Sequence, residues 1–239
     1  MNKLIDIHAH IIPGVDDGSR DMEMSLAMLR SAAEQGVTAV FAASHSFAYD
    51  HAPVRTREKY LELLECVKQA GIPVRIFPGM EMFCQSQTID QCIRKLNSGV
   101  YPTLNGTRFV LTEFDVWEGA ERDSAECVRR LTAEGFIPII AHAERYPFVN
   151  AGSAERLKRS GALIQINVYS IEEARSGVKY VARELLDRGL ADILGSDTHR
   201  TDHRPPAIKR GMDYLYQHYD RCYADAISWK NAEKWLIDG

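Results

Sequence analysis

No stretch of these 239 residues approaches about 18 consecutive apolar side chains, the length a bilayer-crossing helix needs, so no direct membrane insertion is expected. An export leader is missing too: the opening MNKLIDIHAH places Asp6, His8 and His10 where an unbroken apolar run would stand, which predicts a cytoplasmic protein. Cysteine is sparse. The five (Cys66, Cys84, Cys92, Cys127 and Cys222) are scattered and none begins a C-x-x-C pair, which argues against a thiolate zinc site or a redox couple and predicts reduced thiols. Neither G-x-G-x-x-G nor G-x-x-x-x-G-K-[ST] occurs, which weakens nucleotide-binding readings. A net charge of -4 leaves no basic footprint for nucleic acid. No linker or low-complexity segment divides the chain, so residues 1–239 are expected to form one domain.

What is present is a repeat of sorts. A helix-like stretch, a Gly and a short apolar run recur in QGVTAVFAAS (Gly36), AGIPVRIFPG (Gly71), EGFIPIIAH (Gly135), SGALIQIN (Gly161) and RGLADILGS (Gly189). Each reads as a helix capped by a left-handed Gly and followed by a buried strand. Apolar stripes support the helices, as with Met22, Leu26, Leu29 and Ala33, or Tyr60, Leu64 and Val67. Adding Leu4–Ile7 and Arg108–Leu111 gives about seven strands alternating with helices, an α/β chain with a parallel sheet. An open doubly wound sheet and a closed barrel both fit that alternation. The long connections Gly14–Asp21, Ser46–Arg57 and Thr198–Pro206 follow strands and are expected to be site loops.

Position makes the polar residues informative. His8 and His10 close the first strand, and His45 the second. Glu81 follows Val74–Phe77, Glu113 ends the run from Phe109, His142 ends Ile137–Ala141, and Asp197 with His199 follows Ala191–Leu194. The C-terminal ends of parallel barrel strands converge on one face, where active sites form. In His8-x-His10 an extended backbone sends both imidazoles to one side, and Asp197-x-His199 repeats the geometry. Imidazole with carboxylate suits zinc, manganese or iron better than calcium. A bridging carboxylate such as Glu81 could hold two ions about 3.5–4 Å apart. Asp17 is taken as a further ligand; Asp16 is left between ligand and helix cap. His51 and His218 are read as structural, and His203 as either solvated or adjacent to the site. Arg145 and Arg204 sit in strand-end loops, where a guanidinium fork binds phosphate.

These residues also carry a resemblance. DIHAHIIPGVDDG, Ser44–His45, Gly79–Glu81, TEF at Thr112–Phe114, HAERY at His142–Tyr146 and GSDTH at Gly195–His199 resemble the PHP (polymerase and histidinol phosphatase) superfamily. Within it the chain is most similar to the metal-dependent protein tyrosine phosphatases of bacterial capsular and exopolysaccharide operons. The resemblance implies a distorted (β/α)7 TIM-like barrel with three divalent ions, manganese first and iron or zinc next. One ion would take His8, His10, Glu81 and Asp197; the second Glu81, Glu113 and His142; the third Asp17, His45 and His199. Arg145 and Arg204 match the family's phosphate-binding arginines. The implied reaction is hydrolysis by a metal-activated water, with His199 or a water as proton donor, and the implied partner is the phosphotyrosine tail of a bacterial tyrosine kinase. One departure stands out: where the family reads Thr-Pro-His-His, this chain has Ala43-Ser44-His45-Ser46.

A cysteine-based phosphatase is excluded, because the positions six beyond each Cys hold Ile72, Asp90, Ser98, Ala133 and Ser228 rather than the Arg of a Cys-x5-Arg loop. The rival enzyme is a PHP phosphatase of small esters such as histidinol phosphate. The rival of another class is a regulator that binds a kinase tail without turning it over. Self-association into a homo-oligomer is left open.

Overall fold

The computed structural model describes residues 2–117 and 119–239, and in it the strands form a parallel ring inside a shell of helices. Strands β1 (Leu4–Ala9), β2 (Val37–Ala42) and β3 (Arg75–Pro78) pair in that order. β4 (Glu81–Phe83), β5 (Phe109–Glu113), β6 (Ile137–Ile140), β7 (Leu163–Asn167) and β8 (Ile193–Gly195) follow in sequence, all parallel. Only Gly79 and Met80 separate β3 from β4, and a bridge between His45 and Glu81 carries the ladder across that bend. The two pieces act as one bent stave, so the eight segments make seven staves. The ring closes where Asp197 N–H donates to the His8 carbonyl at 2.8 Å and His10 N–H to the Thr198 carbonyl at 2.9 Å. That closure decides for a barrel over an open sheet.

Helices α1 (Met22–Glu34), α2 (Ser46–His51), α3 (Pro53–Gln69), α4 (Ile89–Asn97), α5 (Ala120–Ala133) and α6 (Ala151–Arg159) lie on the outside. They are followed by α7 (Val168–Glu172), α8 (Ser176–Asp187), α9 (Lys209–His218) and α10 (Arg221–Asp225), the last continuing in wider turns to Ile237. The five recurring glycines all have φ between +62° and +100°, the left-handed region that ends a helix without a Cβ clash. Two expectations change. Ser46–Arg57 is not an open loop but α2 and the first turn of α3, with Pro53 at a position where its missing N–H costs nothing. The α3 stripe buries Leu63 and Val67 and leaves Leu64 half-exposed, one residue out of the predicted phase.

Two apolar layers hold the ring. Ile5, Ile7, Ala39, Phe41, Leu111, Ile139 and Ile193 fill its inside, together with Ala232 and Leu236 from the C-terminal helical segment. Leu4, Val37, Val40, Ile140 and Ile164 face outward onto helix residues such as Met28, Leu63, Val128 and Leu185. The C-terminal segment stoppers the barrel at its N-terminal end: Glu233 meets Lys3 at 3.0 Å, and the Leu236 carbonyl accepts from Asn105 Nδ2 at 2.8 Å. Among the described residues, the polar interior lies at the opposite end.

Candidate metal centre

A break in strand pleating builds the polar end. In β1, Leu4 faces out while Ile5 and Ile7 face in, so strict alternation would send His8 and His10 out to the helices. The pairing of β1 with β2 instead shifts register between Asp6 and Ala9, and Ala9 packs in the outer layer. The inward phase therefore passes from odd to even residues, and both imidazoles enter the barrel. Asp6 holds the irregularity: its carboxylate accepts from His8 N–H at 3.1 Å, Ser196 N–H at 2.8 Å and Ser196 Oγ at 2.6 Å. Burial pushes the Asp6 carboxyl above its usual range, against the Ser196 and His8 hydrogen bonds. Gly195 leaves the room, since a Cβ there would lie 2.7 Å from His8 Cβ.

Inside, the Nε2 atoms of His8 and His10 are 3.2 Å apart. Glu81 is the hub, with Oε1 at 2.9 Å from His142 Nε2 and 3.3 Å from His8 Nε2. Its Oε2 lies 3.0 Å from His45 Nδ1 and 3.4 Å from His10 Nε2, yet makes no aligned hydrogen bond although buried. Burial would raise the Glu81 carboxyl, but His8, His10, His142 and His45 outweigh it and hold it well below the carboxylate range. Glu113, 3.6 Å from both His45 and His142, is raised instead, by burial and by the charge of Glu81. His199 is pushed down to about 3 by burial and by His10, whose ring stacks on it at 3.9 Å between centroids. Three site residues have left-handed backbone: His142 (φ +33°), Asp197 (φ +54°) and Arg204 (φ +50°).

Four groups of donor atoms lie close enough to share a cation, each within 4.8 Å: His10, Asp17, His45 and His199; His8, His10 and Asp197; His8, Glu81 and His142; His45, Glu81 and Glu113. Together they contain the nine residues singled out as ligands and, among the described residues, no others. The grouping differs in detail from the expected sets, for His45 sits with Glu81 and Glu113, and His10 with the Asp17 group. Imidazoles and carboxylates packed this tightly, with an orphaned carboxylate oxygen at the hub, suit divalent cations of intermediate softness. Arg145 and Arg204 reach the same place, donating to Asp197 Oδ2 at 2.7 and 3.2 Å.

Asp16 joins none of the four donor groups and does not cap α1. Its carboxylate accepts from His45 N–H at 3.1 Å and lies 3.0 Å from His10 Nδ1, so it orients an imidazole. Burial opposes its charge, but His10 holds it at about 2. The cap of α1 is Asp21, whose carboxylate accepts from Met24 N–H. His51 and His203 are exposed, and His218 stacks on Tyr214 far from the cluster. Sequence reasoning anticipated β7 as a buried strand but missed its site residues. Gln165 Oε1 accepts from His142 N–H at 2.8 Å and lies 3.1 Å from His8 Nδ1, while Asn167 Nδ2 donates to Asp197 Oδ2 at 3.3 Å. Two amides alternating in LIQIN, at the end where every other stave carries a ligand, were the available signal.

The chain matches the family model described as capsular polysaccharide synthesis, CpsB/CapC, over residues 4–237. It belongs to that family. Tyrosine-protein phosphatase CpsB of Streptococcus pneumoniae is 31% identical over 245 residues, covering 98% of this chain and 99% of that protein. Tyrosine-protein phosphatase YwqE of Bacillus subtilis is 30% identical over 206 residues, covering 84% of this chain and 79% of that one. A solved structure from work on YwqE of B. subtilis and CpsB of S. pneumoniae, described as unique metal-dependent tyrosine phosphatases, superposes with a TM-score of 0.85 at 27% identity over 98% of this chain and 94% of that chain. An amidohydrolase from Mycoplasma synoviae, at TM-score 0.64 and 15% identity, covers 98% of this chain and 87% of its own and shares the fold. No described helix is long and apolar enough to cross a membrane.

Proposed function

We propose that this CpsB/CapC-family chain, residues 1–239 forming one domain, is a metal-dependent phosphomonoester hydrolase that removes phosphate from protein tyrosine. The observation that carries the reading is the meeting of nine nitrogen and oxygen ligand residues with two guanidinium groups at one barrel mouth. In the assignment we favour, His8, His10, Glu81 and Asp197 hold one divalent ion; Glu81, Glu113 and His142 a second; Asp17, His45 and His199 a third. Manganese is the preferred metal, with iron or zinc as alternatives. Bound there, the cations would supply Lewis acidity and lower the pKa of a water.

The chain's own groups do the rest. Arg145 and Arg204 grip the non-bridging phosphate oxygens and neutralise charge as the bond to the leaving oxygen breaks. Gln165 orients the His8 imidazole and anchors the His142 backbone N–H. With Nδ1 of His199 turned to the Asp197 carbonyl at 2.9 Å, its Nε2 presents a lone pair, which favours the ligand role over proton donation. A phenolate leaves readily enough to depart without a dedicated acid. The partner we infer is the phosphotyrosine tail of a bacterial tyrosine kinase in polysaccharide synthesis, met in the cytoplasm.

The test combines elemental analysis with assays on phosphotyrosine peptide, histidinol phosphate and a nucleotide. Chelators should abolish activity on the peptide while thiol alkylation spares it. The reverse pattern, or preference for histidinol phosphate, sinks the assignment.

A further inference from the structure

Beside the metal centre lies a cleft of about 390 Å³ that none of the ligand groups explains. His45 and Glu113 form the edge it shares with the cluster; Phe47 and Phe83 are among its walls, and Lys95 and Tyr101 also line it. We propose that this cleft seats the aromatic ring of the phosphorylated side chain, with Phe47 and Phe83 as its specificity-determining walls. The inference rests on the hydrolase reading and names the part of the substrate it selects.

Several observations converge on an aryl occupant. Phe47 is 44% exposed and Phe83 37%, large apolar surfaces left in water at the rim of an otherwise polar mouth. The Phe47 ring stacks on His45 at 5.5 Å and 24°, so its orientation is set by a residue of the cluster. Ser46 Oγ accepts from Phe83 N–H at 3.3 Å and thereby ties the start of α2 to the end of β4, fixing the two walls relative to each other.

Charge then sets the direction of entry. The Lys95 ammonium is matched by Asp50 at 2.5 Å, and the same carboxylate accepts from Tyr101 OH at 2.6 Å. That part of the cleft is therefore polar but neutralised, and offers no rival seat for phosphate. The phosphoryl group goes to the cluster and its arginines, and the ring lies back between the two phenylalanines. A volume near the lower end of the range for small-molecule pockets, about 300–1,000 Å³, fits one side chain with little room to spare. Phosphoserine lacks the flat apolar body that would cover these walls, and its phosphate sits too near its own backbone to reach a buried cluster as easily. The larger hollow of about 740 Å³, lined by Lys179, Arg183 and Tyr214, lies on the outer helices, where Arg183 is already paired with Glu172.

The experiment measures binding of phenylphosphonate and methylphosphonate to the metal-loaded protein by calorimetry. Alongside it, kcat/KM is compared for phosphotyrosine and phosphoserine peptides of one sequence. Wild type should prefer the aryl member of each pair. Phe47→Ala and Phe83→Ala should each cut that preference about three- to tenfold, mainly through KM, and Phe47→Tyr and Phe83→Tyr should restore it. A preference that stays within twofold of wild type in both alanine variants, or an equal loss on both members, overturns the proposal. If wild type hydrolyses neither peptide, the hydrolase reading fails, while the phosphonate pair still decides the cleft.

Discussion

The two ends of this barrel are made from the same strands yet obey opposite rules. At the N-terminal end Ala232 and Leu236 complete an apolar plug and the charges stay at the rim, as with Lys3 and Glu233. At the C-terminal end His8, His10, Glu81 and Asp197 are almost wholly out of solvent. Burying unbalanced charge is costly, and a chain that does so at one end only has concentrated the cost where cations would relieve it. Stability and chemistry are thus separated along the barrel axis, and mutations at the two ends should fail differently.

The largest effect is expected at the hub. Glu81→Ala should reduce bound metal and lower kcat/KM by at least about 10²–10³-fold, as loss of a central electrostatic group does, checked by elemental analysis and steady-state kinetics. Normal metal content in that variant would break the contrast between the ends. At the plug, Leu236→Ala should cost about 2–5 kcal/mol in denaturant unfolding while leaving metal stoichiometry intact. One step out from the ligands, Gln165→Leu should weaken metal affinity about 10–100-fold, measured by competition with a chromogenic chelator, with a smaller change in melting temperature. The smallest effect concerns pH. The Tyr216 hydrogen bond, with help from Lys230, holds the Asp225 carboxyl below its ordinary value, so its contribution is present above the unfolded pKa and is lost as pH falls through the folded one. Asp225 is half-buried at the surface, where solvent screens much of the interaction, so Asp225→Asn should lower the melting point only slightly at pH 7, with the difference vanishing in acid; a difference that grows in acid would reverse the assignment.

The alternation of helix, glycine and apolar run was legible because each repeat carries its own local physics: left-handed caps and a buried parallel strand. The ligand types were legible because they recur at strand ends. What escaped reading was relational. The bend at Gly79 that splits one stave, and places Glu81 at the head of a new segment, depends on pairing with partners on both sides. Asp16 stayed between ligand and cap because acids favour both roles near a helix start; only the fold brings it to His10 and His45. Gln165 and Asn167 went unnoticed because alternating amides are a weak signal on their own and gain meaning only beside the groups they orient, which come from β1, β6 and β8.

The sequence alone determined an α/β chain of about seven strand units and the chemical character of its site, because periodicity and residue type act locally. Periodicity left closure open and only the family resemblance implied the barrel that the structure shows; tertiary structure alone decided that a register shift beside Asp6 turns His8 and His10 inward, and that Phe47 and Phe83 flank the same opening. Those outcomes depend on which distant strands lie side by side, and no local pattern encodes a distance across the barrel.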